Sequence, residues 1–296
     1  MTVYVIIPVH NRRELTLKCL WSLQSQNYKD YKIIVIDDGS TDGTADIVEN
    51  DFPDIILLKG DGNLWWSGAT NLGIEYILEN AKKEDLVLTL NNDLEVSPVY
   101  LENIVDCYKK NRPALIGSIS VSSDYSKKVY YSGVKWNRLT AKYRRNFNTG
   151  KRLDIVSLPE VLETDLLPGR GTLIPVELFR KIGKYDERHF PQYIADEDFS
   201  LRAKDAGYKL LVCSNAVVYS HIEATGVNFN INKPTIRNFI VSLFSIRSAN
   251  NIKIRFYFAM KHSSCLPVYF LFDLLRLFLS FFRAMIRYRF KIICQR

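Results

Sequence analysis

Carboxylate side chains follow two short apolar runs of this sequence. Asp37 and Asp38 follow the run 32–36, and Asp93 follows the run 86–90. Paired acids at such a turn can accept hydrogen bonds from a nucleobase N–H group and from ribose hydroxyls. A carboxylate such as Asp93 can hold a divalent cation, which proteins bind through one or two carboxylates together with substrate phosphates. Each turn, considered alone, is equally well explained as an Asx turn that begins a helix.

A third acidic group comprises Asp196, Glu197 and Asp198. Clustered acids raise one another's pKa, which suits a general base that removes a proton from an attacking hydroxyl group. The cluster can instead complement the dipole at the beginning of a helix. His221 is a candidate metal ligand or phosphate contact, although a lone histidine is more often structural.

The segment 60–73 combines glycines, polar side chains and two adjacent tryptophans. Asn63, Trp66 and Asn71 are candidates for contacts with a nucleotide sugar, because indole faces suit sugars and nucleobases. Burial of both indoles in a core explains the pair equally well. Arg170 stands between two glycines, which offers a cation near phosphates or, alternatively, a surface ion pair.

Strand-like and helix-like patterns alternate along the first 110 residues. Continuous apolar runs predict buried strands at 3–9, 32–36, 55–58 and 86–90. Helical patterns lie at 14–24, about 42–48, 67–78 and 98–109. This alternation predicts an α/β fold with a mostly parallel sheet, in which ligands lie outside the carboxyl ends of the strands. The polar groups described above fall at those ends.

The second half of the chain has a less regular pattern. Residues 116–156 suggest irregular strands and loops, and residues 199–206 suggest a short helix that follows the acidic cluster. Strands are predicted at 172–175 and 210–218, with a helix at 176–182.

The last part of the chain, 234–296, is helical in pattern, basic and aromatic. Residues 235–296 hold eleven Lys or Arg and one acid, a balance of +10, which leaves −2 for the rest because the whole chain carries +8. The apolar stretch 265–286 is interrupted by three charges, which favours a helix lying in a membrane interface over one that spans it. A core or oligomer helix is the alternative. Its cationic flank is formed by Arg283, Arg287, Arg289, Lys291 and Arg296.

The cysteines indicate a reducing compartment. There are five of them, and none lies in a metal-ligand spacing. The beginning of the chain also lacks the pattern of a signal peptide. We therefore expect the cytoplasmic face of a membrane, with peripheral or monotopic attachment to an anionic surface. The aromatic and apolar character of the tail favours lipid over nucleic acid as its partner.

Five motifs together resemble glycosyltransferase family 2, whose members have the GT-A fold. They are residues 5–11 (VIIPVHN), 36–44 (IDDGSTDGT), 63–73 (NLWWSGATNLG), 90–94 (LNNDL) and 196–203 (DEDFSLRA). The resemblance implies a mostly parallel nucleotide-binding sheet flanked by helices, followed here by the helical C-terminal extension. It implies an inverting transfer of a sugar, dependent on Mg²⁺ or Mn²⁺, from a nucleotide-diphosphate donor to an acceptor hydroxyl.

The resemblance also implies roles for individual residues. Asp38, with Asp37, would hold the nucleobase and ribose, Asp93 would hold the metal, and Asp196 would be the catalytic base. His221 is the second candidate metal ligand, on its own position in the sequence and not on the resemblance. The remaining implied or candidate nucleotide-sugar contacts are Pro8, Val9, Asn11, Asn63, Trp66, Asn71, Asn91, Asn92 and Arg170. Asn91 replaces the first Asp of the family's DxD motif, and Ala195 replaces a Glu beside the base. Asp198 therefore remains a second candidate base.

The sub-pattern most resembles bacterial rhamnosyltransferases and related enzymes that build capsule, O-antigen or other surface polysaccharides. It suggests a UDP- or dTDP-sugar donor and a glycan or lipid-linked glycan acceptor. We expect a catalytic domain at 1–233, with a nucleotide-sugar half at about 1–115 and an acceptor half at about 116–233. The membrane-associating extension would be 234–296.

Three alternative functions can be compared with this expectation. A sugar-nucleotide nucleotidyltransferase needs a glycine-rich phosphate loop after its first strand, and residues 8–11 contain no glycine. A catalytically inactive membrane adaptor could keep the fold, but retention of Asp38, Asp93 and Asp196 together argues against it. A dinucleotide dehydrogenase is excluded because no GxGxxG motif follows a strand.

Overall fold

A computed structural model describes residues 1–146, 149–155, 158–221 and 234–293. Its strands are β1 (Val3–Val9), β2 (Tyr31–Asp37), β3 (Ile56–Lys59), β4 (Leu86–Thr89), β5 (Leu94–Val96), β6 (Ala114–Ser122), β7 (Val129–Tyr131), β8 (Val134–Trp136), β9 (Tyr143–Arg145), β10 (Val161–Glu163), β11 (Thr172–Pro175) and β12 (Lys209–Ser220). Its helices are α1 (Arg13–Gln24), α2 (Thr44–Asp51), α3 (Trp65–Asn80), α4 (Tyr100–Asn111), α5 (Val176–Ile182), α6 (Ala195–Asp205), α7 (Ile236–Phe244), α8 (Ile252–His262) and α9 (Leu266–Ile293).

One large sheet organises the described part of the chain, in the order β10-β12-β6-β11-β4-β1-β2-β3. The strands β3, β2, β1 and β4 are all parallel, and they are the strands that the apolar runs predict. Beyond β4 the sheet becomes mixed, because β11 pairs antiparallel with both β4 and β6. β5 pairs with β12, while β8 and β9 form a separate hairpin. The predicted α/β fold with helices around the sheet is confirmed.

Two apolar layers enclose this sheet. Side chains of β1 alternate between them, so that Ile6 packs with α3 on one side and Ile7 with α1 on the other. Burial on both faces explains why the run 3–9 is continuously apolar and does not alternate with polar residues. The layer on the α3 side also includes Phe258 of α8 and Tyr269 of α9. Helices α8 and α9 therefore share a core with the rest of the fold.

Three elements differ from the sequence-based prediction. α3 begins at Trp65, so both tryptophans lie in its first turn and not in a loop. β6 is a nine-residue buried strand at the start of a segment predicted to be irregular, because its inward-facing positions include serines, which hide the apolar pattern. α6 begins at Ala195, four residues early, which places three acids in its first turn, where they complement the helix dipole.

The C-terminal helices pack on one side and expose apolar side chains on the other. Phe239 of α7 stacks on Phe281 of α9, with ring centroids 4.3 Å apart. No described helix combines the length and the apolar character that crossing a bilayer requires. The predicted domain boundary at 233, together with Arg296 of the predicted cationic flank, lies outside the described residues.

Candidate functional site

The two acids at the end of β2 fix the loops that lead into α2 and α3. Asp38 accepts hydrogen bonds from the backbone N–H groups of Gly62 (2.8 Å) and Trp65 (3.1 Å). Asp37 accepts hydrogen bonds from the hydroxyl group and the backbone N–H of Ser40. Both acids are buried. They therefore shape the predicted nucleotide pocket through the backbone around it.

The end of β1 lies beside this turn. The carbonyl of Val9 accepts a hydrogen bond from the backbone N–H of Asp38, at 2.8 Å. The backbone N–H of Asn11 donates to the Ser40 hydroxyl at 2.7 Å, and Asn11 adopts a left-handed conformation with φ of 60°. Pro8 is half-buried in the strand, while Val9 belongs to the core. The first motif and the nucleotide turn thus form one unit.

Trp66 connects three of the predicted motifs. Its indole N–H donates to Asn91 Oδ1 at 3.1 Å. Its ring lies against Gly169, where an added Cβ would stand 2.2 Å from Trp66 Cζ2. Gly169 in turn donates its backbone N–H to Asp196 Oδ2 at 2.8 Å. A chain of three contacts therefore runs from the predicted metal turn to the predicted base.

The other candidate amides have structural partners or lie near the surface. Asn71 is buried, and it donates to the carbonyl of Tyr185 and accepts from its N–H. Asn92 donates to the hydroxyl of Thr16 at 3.0 Å. Asn63 is exposed. These positions leave the predicted contacts with a nucleotide sugar untested, but Asn71 and Asn92 have clear packing roles.

Asp93 and His221 are brought together by the pairing of β5 with β12. The backbone N–H of His221 donates to the carbonyl of Asp93 at 3.0 Å. The His221 ring contacts Glu95, with Nε2 2.6 Å from Oε1, and Nδ1 lies 3.1 Å from Ser123 Oγ. The guanidinium of Arg12 lies 3.8 Å from Asp93 Oδ2. Sequence reasoning named neither Glu95 nor Arg12, because only the tertiary structure brings them here.

Asp93 supplies a carboxylate at the carboxyl end of the sheet. Over the described part of the chain, no group of three or more His, Cys, Asp and Glu side chains could hold a metal ion. A Mg²⁺-type ion needs only one or two protein carboxylates when substrate phosphates and water complete its shell. The donor set at Asp93 fits an ion bound in this way, and it does not fit a site made of protein ligands alone.

The first turn of α6 holds the two candidate bases in different environments. Asp196 accepts backbone N–H groups from Gly169 and Glu197, the latter at 3.0 Å. Burial raises the pKa of Asp196, against the lowering effect of these hydrogen bonds and of the Arg170 charge. A raised pKa suits a carboxylate that must take a proton. Arg170 also lies half-buried beside the loop that contacts Trp66.

Asp198 is fully buried and surrounded by donors. Its Oδ2 accepts Arg202 Nε at 2.8 Å, while Oδ1 lies 2.9 Å from Lys261 Nζ and 2.8 Å from His262 Nε2. Burial opposes ionisation, but hydrogen bonding to His262 and the charges of Arg202 and Lys261 hold the pKa of Asp198 well below its usual range. A carboxylate in this state is a poor proton acceptor and joins α6 to α8.

A cleft of about 370 Å³ opens beside Asp196. Glu197 lines the same cleft, and its Oε2 accepts a hydrogen bond from the Tyr143 hydroxyl group at 2.8 Å. Burial and the neighbouring Asp196 carboxylate raise the pKa of Glu197 to about 7. Glu197 was visible in the sequence as a member of the acidic cluster. Its position on the cleft depends on the β8–β9 hairpin, which the sequence did not indicate.

Comparison with known proteins identifies the family to which the chain belongs. The model of the family "Glycosyl transferase family 2" matches residues 4–158. The chain belongs to this family, and it is a glycosyltransferase. This assignment separates it from the sugar-nucleotide nucleotidyltransferases considered above.

Two named relatives indicate which members of the family this chain resembles. The N-acetylglucosaminyl-diphospho-decaprenol L-rhamnosyltransferase of Mycobacterium tuberculosis is 26% identical over 227 residues, covering 68% of this chain and 70% of the relative. The dTDP-rhamnosyl transferase RfbF of Shigella flexneri is 22% identical over 260 residues, covering 85% and 82%. The chain therefore resembles rhamnosyltransferases.

A solved structure supports the GT-A fold. GalNAc-T7, crystallised with UDP, GalNAc and Mn²⁺, superposes with a TM-score of 0.59 at 15% identity, covering 74% of this chain. This chain spans 44% of the GalNAc-T7 chain. At such low identity the similarity shows the fold alone.

Proposed function

We propose that the protein transfers a sugar, with inversion, from a UDP- or dTDP-sugar to a hydroxyl of a lipid-linked or surface glycan. A 6-deoxyhexose carried by dTDP is the first donor to test, because one relative is named as a dTDP-rhamnosyl transferase. An acceptor linked through diphosphate to a polyprenol is the first acceptor to test, on the name of the mycobacterial relative. The product would enter the synthesis of a polysaccharide or glycolipid.

One observation carries this proposal. The contacts Asn91–Trp66, Trp66–Gly169 and Gly169–Asp196 join the carboxyl end of the parallel strands to the first turn of α6. A donor bound at the strand ends and an acceptor beside Asp196 would then share one site. Such proximity is what a direct displacement at the anomeric carbon requires.

Asp196 is the base in this proposal. It accepts the proton of the acceptor hydroxyl while that oxygen attacks the anomeric carbon, and the bond from this carbon to the nucleotide diphosphate breaks. The raised pKa of Asp196 favours uptake of the proton. Asp198 instead anchors the helix, since three neighbouring side chains enclose its carboxylate.

Asp38, Asp93 and Arg170 serve the donor in this proposal. Asp38 holds the loop 60–65 against the end of β2, which forms one side of the nucleotide pocket. Asp93 would hold Mg²⁺ or Mn²⁺ together with the diphosphate, and such an ion neutralises the leaving group when it is bound. The Arg170 charge acts on Asp196 and opposes the rise of its pKa. In this proposal the Arg170 guanidinium therefore lies beside the reacting groups.

The C-terminal helices suit attachment to the cytoplasmic face of a membrane. Large apolar side chains are exposed on α7 and α9: Ile236, Ile240, Val241, Phe244, Leu271, Phe272, Leu275, Phe278, Leu279, Phe282, Ile286 and Phe290. Exposed Arg283, Arg287 and Arg289 lie on the same α9 helix. An apolar face flanked by arginines is typical of a helix that lies in an anionic interface.

Calorimetry with UDP, dTDP and GDP, each with and without Mn²⁺, tests the donor assignment. We expect one nucleotide to bind, and a chelator to weaken that binding. The variant Asp196→Asn should bind the same nucleotide with unchanged affinity and should lose transfer by about 100-fold or more, the usual contribution of a general base. If no nucleotide binds under any metal condition, the inactive adaptor becomes the better explanation.

A further inference from the structure

The cleft beside Asp196 has the dimensions of a ligand site. It lies between the β8–β9 hairpin, the segment 166–168 and the first turn of α6. Its volume of about 370 Å³ falls within the range of about 300–1,000 Å³ that is usual for small-molecule sites. Its lining includes Tyr130, Tyr143 and Arg145 as well as the two acids. Tyrosine combines an apolar ring with a hydroxyl group, which suits a hydroxylated ring compound.

Glu197 has one carboxylate oxygen available in this cleft. Tyr143 donates to Oε2, whereas Oε1 accepts no hydrogen bond from any residue in the described ranges. Glu197 also makes no ion pair with those residues. The charge of Arg255 acts on Glu197, but its guanidinium is bonded to both oxygens of Asp273, each at 2.8 Å.

An acid without a cationic partner is unfavourable in a half-buried position. Burial and the Asp196 carboxylate both disfavour the ionised form of Glu197, and its pKa rises to about 7. Perturbed acids of this kind concentrate at functional sites. The dipole of α6 also favours an acid at this position, but it supplies no hydrogen-bond donor for the second oxygen of Glu197. That oxygen points to a ligand.

We propose that Glu197 binds the acceptor saccharide in this cleft and that Tyr143 positions the Glu197 carboxylate for this purpose. Oε1 of Glu197 accepts a hydrogen bond from one acceptor hydroxyl, while a neighbouring hydroxyl reaches Asp196 and gives up its proton there. This assignment rests on the proposed function, because it places the acceptor of that reaction. It makes the cleft a determinant of acceptor choice that is separate from the nucleotide pocket.

Binding of soluble glycosides tests the assignment without a known acceptor. The probes are octyl glycosides of common hexoses, N-acetylhexosamines and 6-deoxyhexoses, titrated by NMR into the full chain saturated with the nucleotide that calorimetry identifies. We expect Glu197→Gln to weaken binding of the preferred glycoside about tenfold, and Tyr143→Phe about threefold, since a charged acceptor is replaced by a neutral one or loses its orientation. Glu79→Gln, the same change on an exposed part of α3, should have no effect.

The pH dependence separates binding from a structural role. Since the ionised carboxylate is the stronger acceptor, wild-type affinity for the glycoside should rise between pH 6 and pH 8. Glu197→Gln should flatten this rise. The titratable and charged groups that act on Glu197 from the surrounding elements are Tyr131, Tyr143, Asp196, Arg255, Tyr269 and Asp273. Tyr130 and Arg145 line the same cleft.

The outcomes distinguish this inference from the proposed function. If nucleotide binds but no glycoside binds to the wild type, or if Glu197→Gln binds the glycoside as well as the wild type does, the acceptor assignment is wrong and the transferase proposal stands. If no nucleotide binds, the proposed function fails by itself, whatever the glycosides do. Nucleotide affinity unchanged by both cleft variants, with weaker glycoside binding, supports the assignment.

Discussion

Replacing Asp198 with Asn should destabilise the fold without removing the proposed base. Asp198 is 0% exposed and contacts Arg202, Lys261 and His262. Removing one member of a buried ion pair costs about 3–5 kcal/mol, because the remaining charge stays buried without compensation. Lys261 keeps Asp186 at 2.7 Å as a second partner, which favours the lower end. We therefore expect a loss of about 3 kcal/mol in the free energy of unfolding.

Urea and thermal unfolding at pH 7 measure this loss. About 3 kcal/mol corresponds to a decrease in Tm of roughly 6 °C for a chain of this size. The matched control is Asp196→Asn, the same substitution two residues away. Because burial disfavours the charge of Asp196, its removal should change the free energy of unfolding by less than about 1 kcal/mol.

The pH dependence of the free energy of unfolding gives a second check on the stabilising role of Asp198. The pKa of Asp198 is lowered in the fold from an ordinary value of 3.8, so its stabilising effect is fully present above that value. The difference between wild type and Asp198→Asn should therefore shrink as the pH falls below about pH 4. A variant at position 198 that unfolds within 1 kcal/mol of the wild type at pH 7 would refute the role of Asp198 as an anchor.

Three further substitutions address other parts of the molecule. Asp93→Ala should remove the Mn²⁺-dependent part of nucleotide affinity in calorimetry; an unchanged response to chelator would exclude Asp93 as the metal ligand. Gly169→Ala should reduce transfer at least tenfold and shift the indole fluorescence, because its Cβ would press on the Trp66 ring; native activity would contradict the close contact. Phe282→Asp should weaken binding to phosphatidylglycerol vesicles about tenfold or more. The control is Tyr125→Asp, which changes an exposed aromatic residue outside the C-terminal helices and should leave vesicle binding unchanged. Equal binding of both variants would count against membrane attachment through α9.

The first half of the fold could be predicted from the sequence because its information is local. The strands β1, β2 and β4 are largely buried on both faces, so each is a continuous apolar run with polar residues beyond its carboxyl end. Parallel strands bring those ends to one edge, and the candidates Asp38 and Asp93 follow from that rule. β6 escaped prediction because Ser118 and Ser120 lie within its buried length.

The pairing of distant segments was beyond such reasoning. Glu95 meets His221 only because β5 pairs with β12, and Tyr143 meets Glu197 only because the β8–β9 hairpin lies over the start of α6. No periodicity in the sequence encodes a contact across 54 or 126 residues. The metal and nucleotide roles of the individual side chains stay predictions.

The sequence by itself determined the family, the order of the motifs and the edge of the sheet where we expect the donor to bind, since these depend on short runs of residues. Only the tertiary structure distinguished Asp196 from Asp198. Both acids lie in the first turn of α6. Asp196 lines a cleft and has a raised pKa, whereas Asp198 is enclosed by Arg202, Lys261 and His262 and has a lowered pKa. Burial and the charges of residues distant in sequence set the pKa of each acid, and the local sequence around positions 196–198 indicates neither of them.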